Sequence, residues 1–202
     1  MKAARKLFVS LGPLVLVPLA AWALASCATV ITPPSSVSDP VDVFVVDHGR
    51  TTSLVLPAPD GALIRYAYGD WEWYALGKHG AWRGAAALFW PTEGALGRGL
   101  LTGPATIENV REQVPAPEEI LSIAVERVRL IAFETRMQAL YDAGRDTAVS
   151  NPEAGMTFVH HPQRYTIFRN SNHAVASWLR ELGCETRGVT IGANWRVSST
   201  PR

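Results

Sequence analysis

IFRNSNHAVASWLREL, residues Ile167 to Leu182, sets four polar residues in a row at the head of an apolar-striped helix. Val175, Trp178, Leu179 and Leu182 follow the i, i+3, i+4, i+7 spacing of one helix face, and Gly183 supplies the stop. Asn170 or Ser171 is a natural N-cap, since a short side-chain oxygen accepts a bond from an orphan N–H of the first turn. The polarity gathered there is expected to satisfy the orphan N–H groups of the helix start. A helix this clearly bounded also has to bury its stripe, and the segments upstream supply the sheet that receives it.

VDVFVVDHG, Val41 to Gly49, is β-branched and nearly continuously apolar, which predicts a strand buried on both faces. Ser53 to Leu56 follows as a second strand, so His48 falls at a strand-to-strand junction, and Pro57 to Gly61 carries turn signals. The third strand alternates Leu63, Arg65 and Ala67 with Ile64, Tyr66 and Tyr68, then reaches the polar cluster Asp70 to Glu72. Trp82 to Trp90 is expected to form a short helix before Pro91, and Thr92 to Glu118, rich in Gly and Pro, carries no clear period. ILSIAVERV reads as a strand; Leu130, Phe133, Met137, Leu140 and Tyr141 then mark an amphipathic helix closing at Gly144, the switch falling near Glu126. GMTFVHH and YTIFR are expected to be two strands around a His161-Pro162 turn, and NWRVSSTPR a final strand with a frayed tail. These elements make an α+β domain: an antiparallel sheet with packed helices.

The chain has 202 residues, room for one domain of ordinary size, and its 48% hydrophobic content is enough for a solid core. Nineteen basic residues balance eighteen acidic ones, so no basic field is available to hold a phosphate backbone, and nucleic acid is excluded as a partner. Lys2, Arg5 and Lys6 precede an uncharged apolar run from Leu7 to Ala25, the pattern of an export signal, with an uncleaved spanning helix as the alternative. LASC, Leu24 to Cys27, resembles the lipobox of bacterial lipoproteins, in which cleavage before the cysteine is coupled to lipidation of its sulfur. Acyl chains there anchor the chain at about 0.8 kcal/mol per buried CH2. Ala28 after the cysteine, in place of an aspartate, resembles the sorting signal of an outer-membrane lipoprotein facing the periplasm. The expected organisation is therefore a signal segment over 1–27, a Pro/Ser-rich tether over 28–40 and one globular domain over 41–202. With Cys27 lipidated, Cys184 has no partner for a disulfide and reads as a small buried hydrophobe.

The signatures of several enzyme classes are absent from the sequence: G-x-S-x-G, the phosphate-binding Gly-rich loop, H-E-x-x-H and Cys pairs at zinc spacing. His160 and His161 are adjacent on a strand, so they point to opposite faces and are poorly placed to share a metal; no metal or cofactor is expected. What remains is the pairing of His48-Gly49-Arg50-Thr51-Thr52-Ser53, Tyr68-Gly69-Asp70-Trp71-Glu72-Trp73-Tyr74 and Asn170-Ser171-Asn172-His173. In order and spacing, across most of Val43 to Cys184, these resemble the bacterial envelope proteins called domain of unknown function 2459. That resemblance implies a circularly permuted papain-like layout akin to the NlpC/P60 group, with a histidine on an early strand facing a cysteine at the start of a late helix. There, helix dipole and imidazole both lower the thiol pKa.

This chain departs from that pattern twice, with Thr51 where the family has a second histidine and Ser171 where it has its cysteine. A hydroxyl requires a base within hydrogen-bond reach. His48 is the candidate base, but strand alternation turns positions 48 and 51 apart, and His173 is only two residues from Ser171 on the helix. Ser171 is thus open as a cap, a nucleophile or a ligand contact, and His48 as a turn residue or a base. Asp70 either orients a histidine or ends its strand, while Trp71, Trp73 and Tyr74 are either core or the lining of a groove. The reading expected from all this is a lipid-anchored envelope protein whose degenerate hydrolase-like site binds an envelope ligand or protein partner. An active hydrolase or acyltransferase using His48 and Ser171 on peptide, amide or ester bonds is the alternative, and a structural envelope protein is the third. Mass spectrometry of the chain from bacterial membranes is expected to find a lipid-modified Cys27 at the new N-terminus, and an unprocessed, unmodified Cys27→Ser variant. An unmodified Cys27 behind an intact leader would overturn the anchoring.

Overall fold

Val41, Val43 and Val45 alternate with Phe44 and Val46 along a single strand, and each set requires its own apolar cover. The computed structural model of the protein describes residues 28–58, 61–78 and 90–198 and supplies both covers. The strands in chain order are β1 (Thr29–Thr32), β2 (Pro40–Asp47), β3 (Thr52–Pro57), β4 (Leu63–Asp70), β5 (Thr92–Leu101), β6 (Glu119–Glu126), β7 (Val149–Asn151), β8 (Met156–Tyr165), β9 (Glu185–Arg187) and β10 (Trp195–Val197). The α-helices are α1 (Ile107–Gln113), α2 (Arg127–Ala143) and α3 (Ser171–Glu181), with a π-helical turn over Trp71–Ala75. Among the described residues, seven strands form an antiparallel sheet in the order β6-β2-β3-β4-β5-β8-β7, and β10-β1-β9 form a small second sheet. The class is therefore α+β, with a large antiparallel sheet and a few helices.

The two faces of the large sheet are covered differently. Val43, Val45, Leu54, Leu56, Ile64 and Tyr66 face α2 and α3, whose Phe133, Met137, Val175 and Leu179 complete the main core. Phe44, Val46, Val55 and Leu63 face the other way, onto Val110 and Val114 of α1 and its C-cap, while Trp71, Met156 and Phe158 make a third cluster on the π-helical turn. Ser53 and Arg65 alternate with the main-core residues of their strands and so belong to the α1 side. β2 is buried on both faces, β6 ends at Glu126 where α2 begins, and α3 starts at Ser171 with Asn170 as its N-cap.

Three expectations are corrected. Thr29–Thr32, assigned to the tether, is the central strand of the small sheet, and Ile31 is wholly buried in the main core, so packing begins at Thr29 rather than Val41. The reason is tertiary: a four-residue strand has no internal periodicity to read, and its partners β9 and β10 lie at the far end of the chain. The expected His161-Pro162 turn is absent, because β8 runs unbroken from Met156 to Tyr165. Proline is tolerated there because β7 pairs only with Met156 to Phe158, and the β5 register shifts between Thr92 and Gly94 opposite this stretch. The unreadable segment after Pro91 holds β5 and α1; Gly97 of β5 lies under the Phe158 ring, where a Cβ would come within 2.5 Å of the ring carbon. Trp82 to Phe89, expected as a helix, and Cys27 lie outside the described residues. No described helix is long and apolar enough to cross a membrane.

The polar helix start fastens these parts together. Asn170 Oδ1 accepts from His173 N at 2.9 Å, and its Nδ2 donates to the carbonyls of Ile167 and Ile191. Asn172, fully buried, accepts from Thr52 Oγ1 at 2.7 Å and donates to the carbonyls of Arg50 and Ile191. Thr52 Oγ1 in turn accepts from Trp195 Nε1 at 2.8 Å. One amide thus ties the β2–β3 hairpin, α3 and the loop before β10. Asn172→Ala leaves a buried hydroxyl and two carbonyls without that partner, and is expected to cost about 2–4 kcal/mol in denaturant unfolding. A loss below about 0.5 kcal/mol, the range of ordinary surface substitutions, would remove the staple from this account.

Candidate functional site

The β2–β3 hairpin turns through His48 to Thr51, closed by His48 N donating to Thr51 O at 2.9 Å. Gly49 takes φ +82°, which only a residue without a Cβ adopts freely, and its N–H donates to Asp47 Oδ1 at 2.6 Å. This tight return carries His48 to the end of the sheet on the α1 side. There it meets Ser53 and Arg65, and the three line a cavity of about 240 Å3 whose wall also includes Tyr74, Phe158 and Ser171.

Arg65 is the dominant group. Its side chain is 7% exposed, and it donates through Nε to Ser53 Oγ at 3.0 Å, through Nη1 to the Ala154 carbonyl at 3.0 Å, and through Nη2 to His48 Nε2 at 3.1 Å. A guanidinium only donates, so His48 Nε2 is the acceptor and the network assigns the ring proton to Nδ1. Ser53 Oγ, 3.0 Å from the same nitrogen, accepts from Arg65 and donates its own proton to His48. Burial, and after it the Arg65 charge, push His48 down to about pH 4, against a smaller opposing effect of the Ala116 and Pro115 backbone. His48 is thus a neutral imidazole whose lone pair is already used.

Ser171 arrives from the other side. It is the first residue of α3, which packs on the main-core face, and its Oγ accepts a long bond from Thr52 N at 3.4 Å. The two expected dyad residues therefore share a cavity without a hydrogen bond between them, and His48 Nε2 is committed to Arg65 and Ser53. Ser171 also holds no proton acceptor among its described bonds that is a base. Asp70, expected either to orient a histidine or to end its strand, does the second: its Oδ1 accepts from Trp73 N at 2.8 Å and caps the π-helical turn. That turn places Tyr74 in the cavity wall beside the Thr51 hydroxyl, and burial pushes the Tyr74 phenol up, so it is a neutral donor at physiological pH.

The aromatic group divides between roles. Trp71 is buried and stacks on His160 with ring centroids 3.7 Å apart, whereas Tyr74 lines the cavity. His161 lies edge-on to Tyr68 on the opposite side of β8, and among the described residues no three His, Cys, Asp or Glu side chains are placed to share a metal ion. Burial raises the Cys184 thiol to about 11, as expected of an inert core cysteine. The residue that sequence reasoning passed over is Arg65. The signal in the sequence was an arginine inside an otherwise apolar stretch of strand; the register that sets it opposite Val55 of β3 is visible only in the structure.

Because His48 is held below its ordinary value, its neutral form adds stability that is full above about pH 6.5 and is lost as pH falls toward 4. Imidazole NMR is expected to show His48 neutral, with the proton on Nδ1, from neutral pH down to about 5, and Arg65→Met is expected to raise its pKa. Titration of His48 near 6.5 in the natural chain would contradict the Arg65–His48 bond. No family model, curated protein or solved structure matches the chain, and the geometry of this cavity is what bears on its function.

Proposed function

We propose that the protein is a lipid-anchored envelope protein, held by Cys27 at the periplasmic side of the outer membrane, whose permuted papain-like site has lost catalysis and binds a ligand. The observation that carries the reading is the occupation of His48 Nε2 by Arg65 Nη2 at 3.1 Å and Ser53 Oγ at 3.0 Å. A general base acts through a free lone pair and is most effective with a pKa near the working pH; His48 offers neither. The papain-like layout is supported by the juxtaposition of the early β2–β3 hairpin with the head of the late helix α3, through Thr52 and Asn172. Thr51 and Ser171, which replace the family's second histidine and cysteine, both line the cavity, so the site keeps its position while its chemistry has changed.

Arg65 makes the loss of base function more than a single substitution. Even a thiol at position 171 meets an imidazole whose acceptor nitrogen is already committed to Arg65 and Ser53. The hydrolase reading, with Ser171 as nucleophile, draws on the shared cavity alone. The test is a thiol titration: in a Cys184→Ala background, Ser171→Cys is alkylated across a pH series, with and without His48→Ala. The expected alkylation profile is the same in both, and ester or amide hydrolysis by the natural chain equals that of Ser171→Ala. A thiol pKa that rises by about a unit or more when His48 is removed, or hydrolysis lost with Ser171, would return the site to catalysis.

A further inference from the structure

The ligand class of this same site follows from its unbalanced charge. Arg65 carries a full positive charge into a largely apolar wall that includes Ala67, Met156 and Phe158, and among the described residues no Asp or Glu lines the cavity. Its described partners are a hydroxyl, a carbonyl and an imidazole, all neutral, and burial alone moves its pKa, with no carboxylate offsetting it. An isolated buried charge is costly, and such charges are ordinarily paired. Among the described residues, three of its five N–H groups are used, which leaves two, one on each Nη. Tyr74 and Thr51, whose hydroxyls bond to each other, line the same cavity, and the positive end of the eleven-residue α3 opens on it at Ser171.

We infer that the cavity binds a small monocarboxylate with an apolar body, its carboxylate paired with Arg65 and its body against Ala67, Met156 and Phe158. The inference rests on the non-catalytic reading of the site and adds the chemistry of its ligand. A single negative charge fits because His48 is neutral beside Arg65, so the site offers one cation rather than two. A small body fits because about 240 Å3 lies below the ~300–1,000 Å3 of sites for drug-sized ligands. Planar, two-oxygen recognition is what a guanidinium with a free N–H on each Nη provides.

The experiment is calorimetric titration of the purified full chain with benzoate and hexanoate, each against its neutral amide. The carboxylates are expected to bind at least about tenfold more tightly than the amides, the difference that a charge-assisted bond supplies. Arg65→Met is expected to bring carboxylate affinity down to the amide level, and Ala67→Leu, which fills the cavity and leaves the charge, to remove binding of both. Circular dichroism checks folding, and where Arg65→Met does not fold, the carboxylate-to-amide ratio of the natural chain together with Ala67→Leu decides. Equal binding of acid and amide, both blocked by Ala67→Leu, would overturn the anion assignment and leave a binding cavity standing. Carboxylate binding untouched by Arg65→Met would overturn it in the same way, and binding of none of the four would remove the ligand altogether. Hydrolysis dependent on Ser171 would instead overturn the non-catalytic reading beneath it.

Discussion

The buried amide of Asn172 is the point on which the assembly of this domain turns. Its oxygen takes the Thr52 hydroxyl, and that hydroxyl takes the Trp195 indole N–H, so a side chain of a late helix joins an early hairpin to the penultimate loop and the last strand. The contacts span more than a hundred residues of chain, and none is replaceable by water, because Asn172 is fully buried. Such a network is stabilising only when every member is satisfied, and here the carbonyls of Arg50 and Ile191 complete it. The polarity that gathers at the head of α3 therefore has a structural purpose that capping alone does not exhaust. Asn170 caps, Asn172 ties, and Ser171 is left between them at the cavity wall.

That fixed hairpin determines the electrostatics of the site. With Thr52 pinned, His48 is carried to the α1 side of the sheet, where the next alternating positions of β3 and β4 present Ser53 and Arg65. A positive charge beside an imidazole lowers its pKa, and burial lowers it further, so each step that stabilises the turn makes His48 a poorer base. The arrangement is electrostatically self-consistent. A neutral histidine supplies an acceptor for a guanidinium that has no carboxylate, and the guanidinium keeps the histidine neutral.

Much of this fold was legible in the sequence where a period was strong. Strand β2, the switch at Glu126 and the stripe of α3 are all read from apolar spacing, because each buries a face along its own length. Strands β1 and β5 were not. Thr29–Thr32 is too short to show a period and follows prolines and serines, while β5 carries Gly94, Gly97 and Gly99, whose missing side chains reflect neighbours such as Phe158 rather than local preference. The continuous β8 was hidden by Pro162, which is penalised in a paired interior but not beside a free strand edge. Of the site, His48 and Ser171 were singled out by the resemblance of their motifs to those of an envelope-protein family, and the cavity does hold both. Their failure to meet was visible only in part, since strand alternation indicates which way His48 turns but not which charge awaits it.

Arg65 shows why that last piece resists sequence reading. In β4 it occupies an inward position between Leu63 and Ala67, where alternation alone predicts an apolar residue on the α1 side. An arginine there implies either a carboxylate across the sheet or a reason to go without one, and a single sequence cannot separate the two. The register does separate them: opposite Arg65 stand Val55 on β3 and Gly99 on β5, neither able to neutralise it. A side chain at Gly99 would crowd the Gly155 carbonyl, not Arg65, and the guanidinium head finds only neutral acceptors in Ser53, His48 and the Ala154 carbonyl. A charge so placed adds little to folding, since an apolar residue of similar volume would fill the same position at no electrostatic cost. Its worth has to be counted with something else in the cavity, and an anion is the chemistry that makes a buried, unbalanced guanidinium favourable.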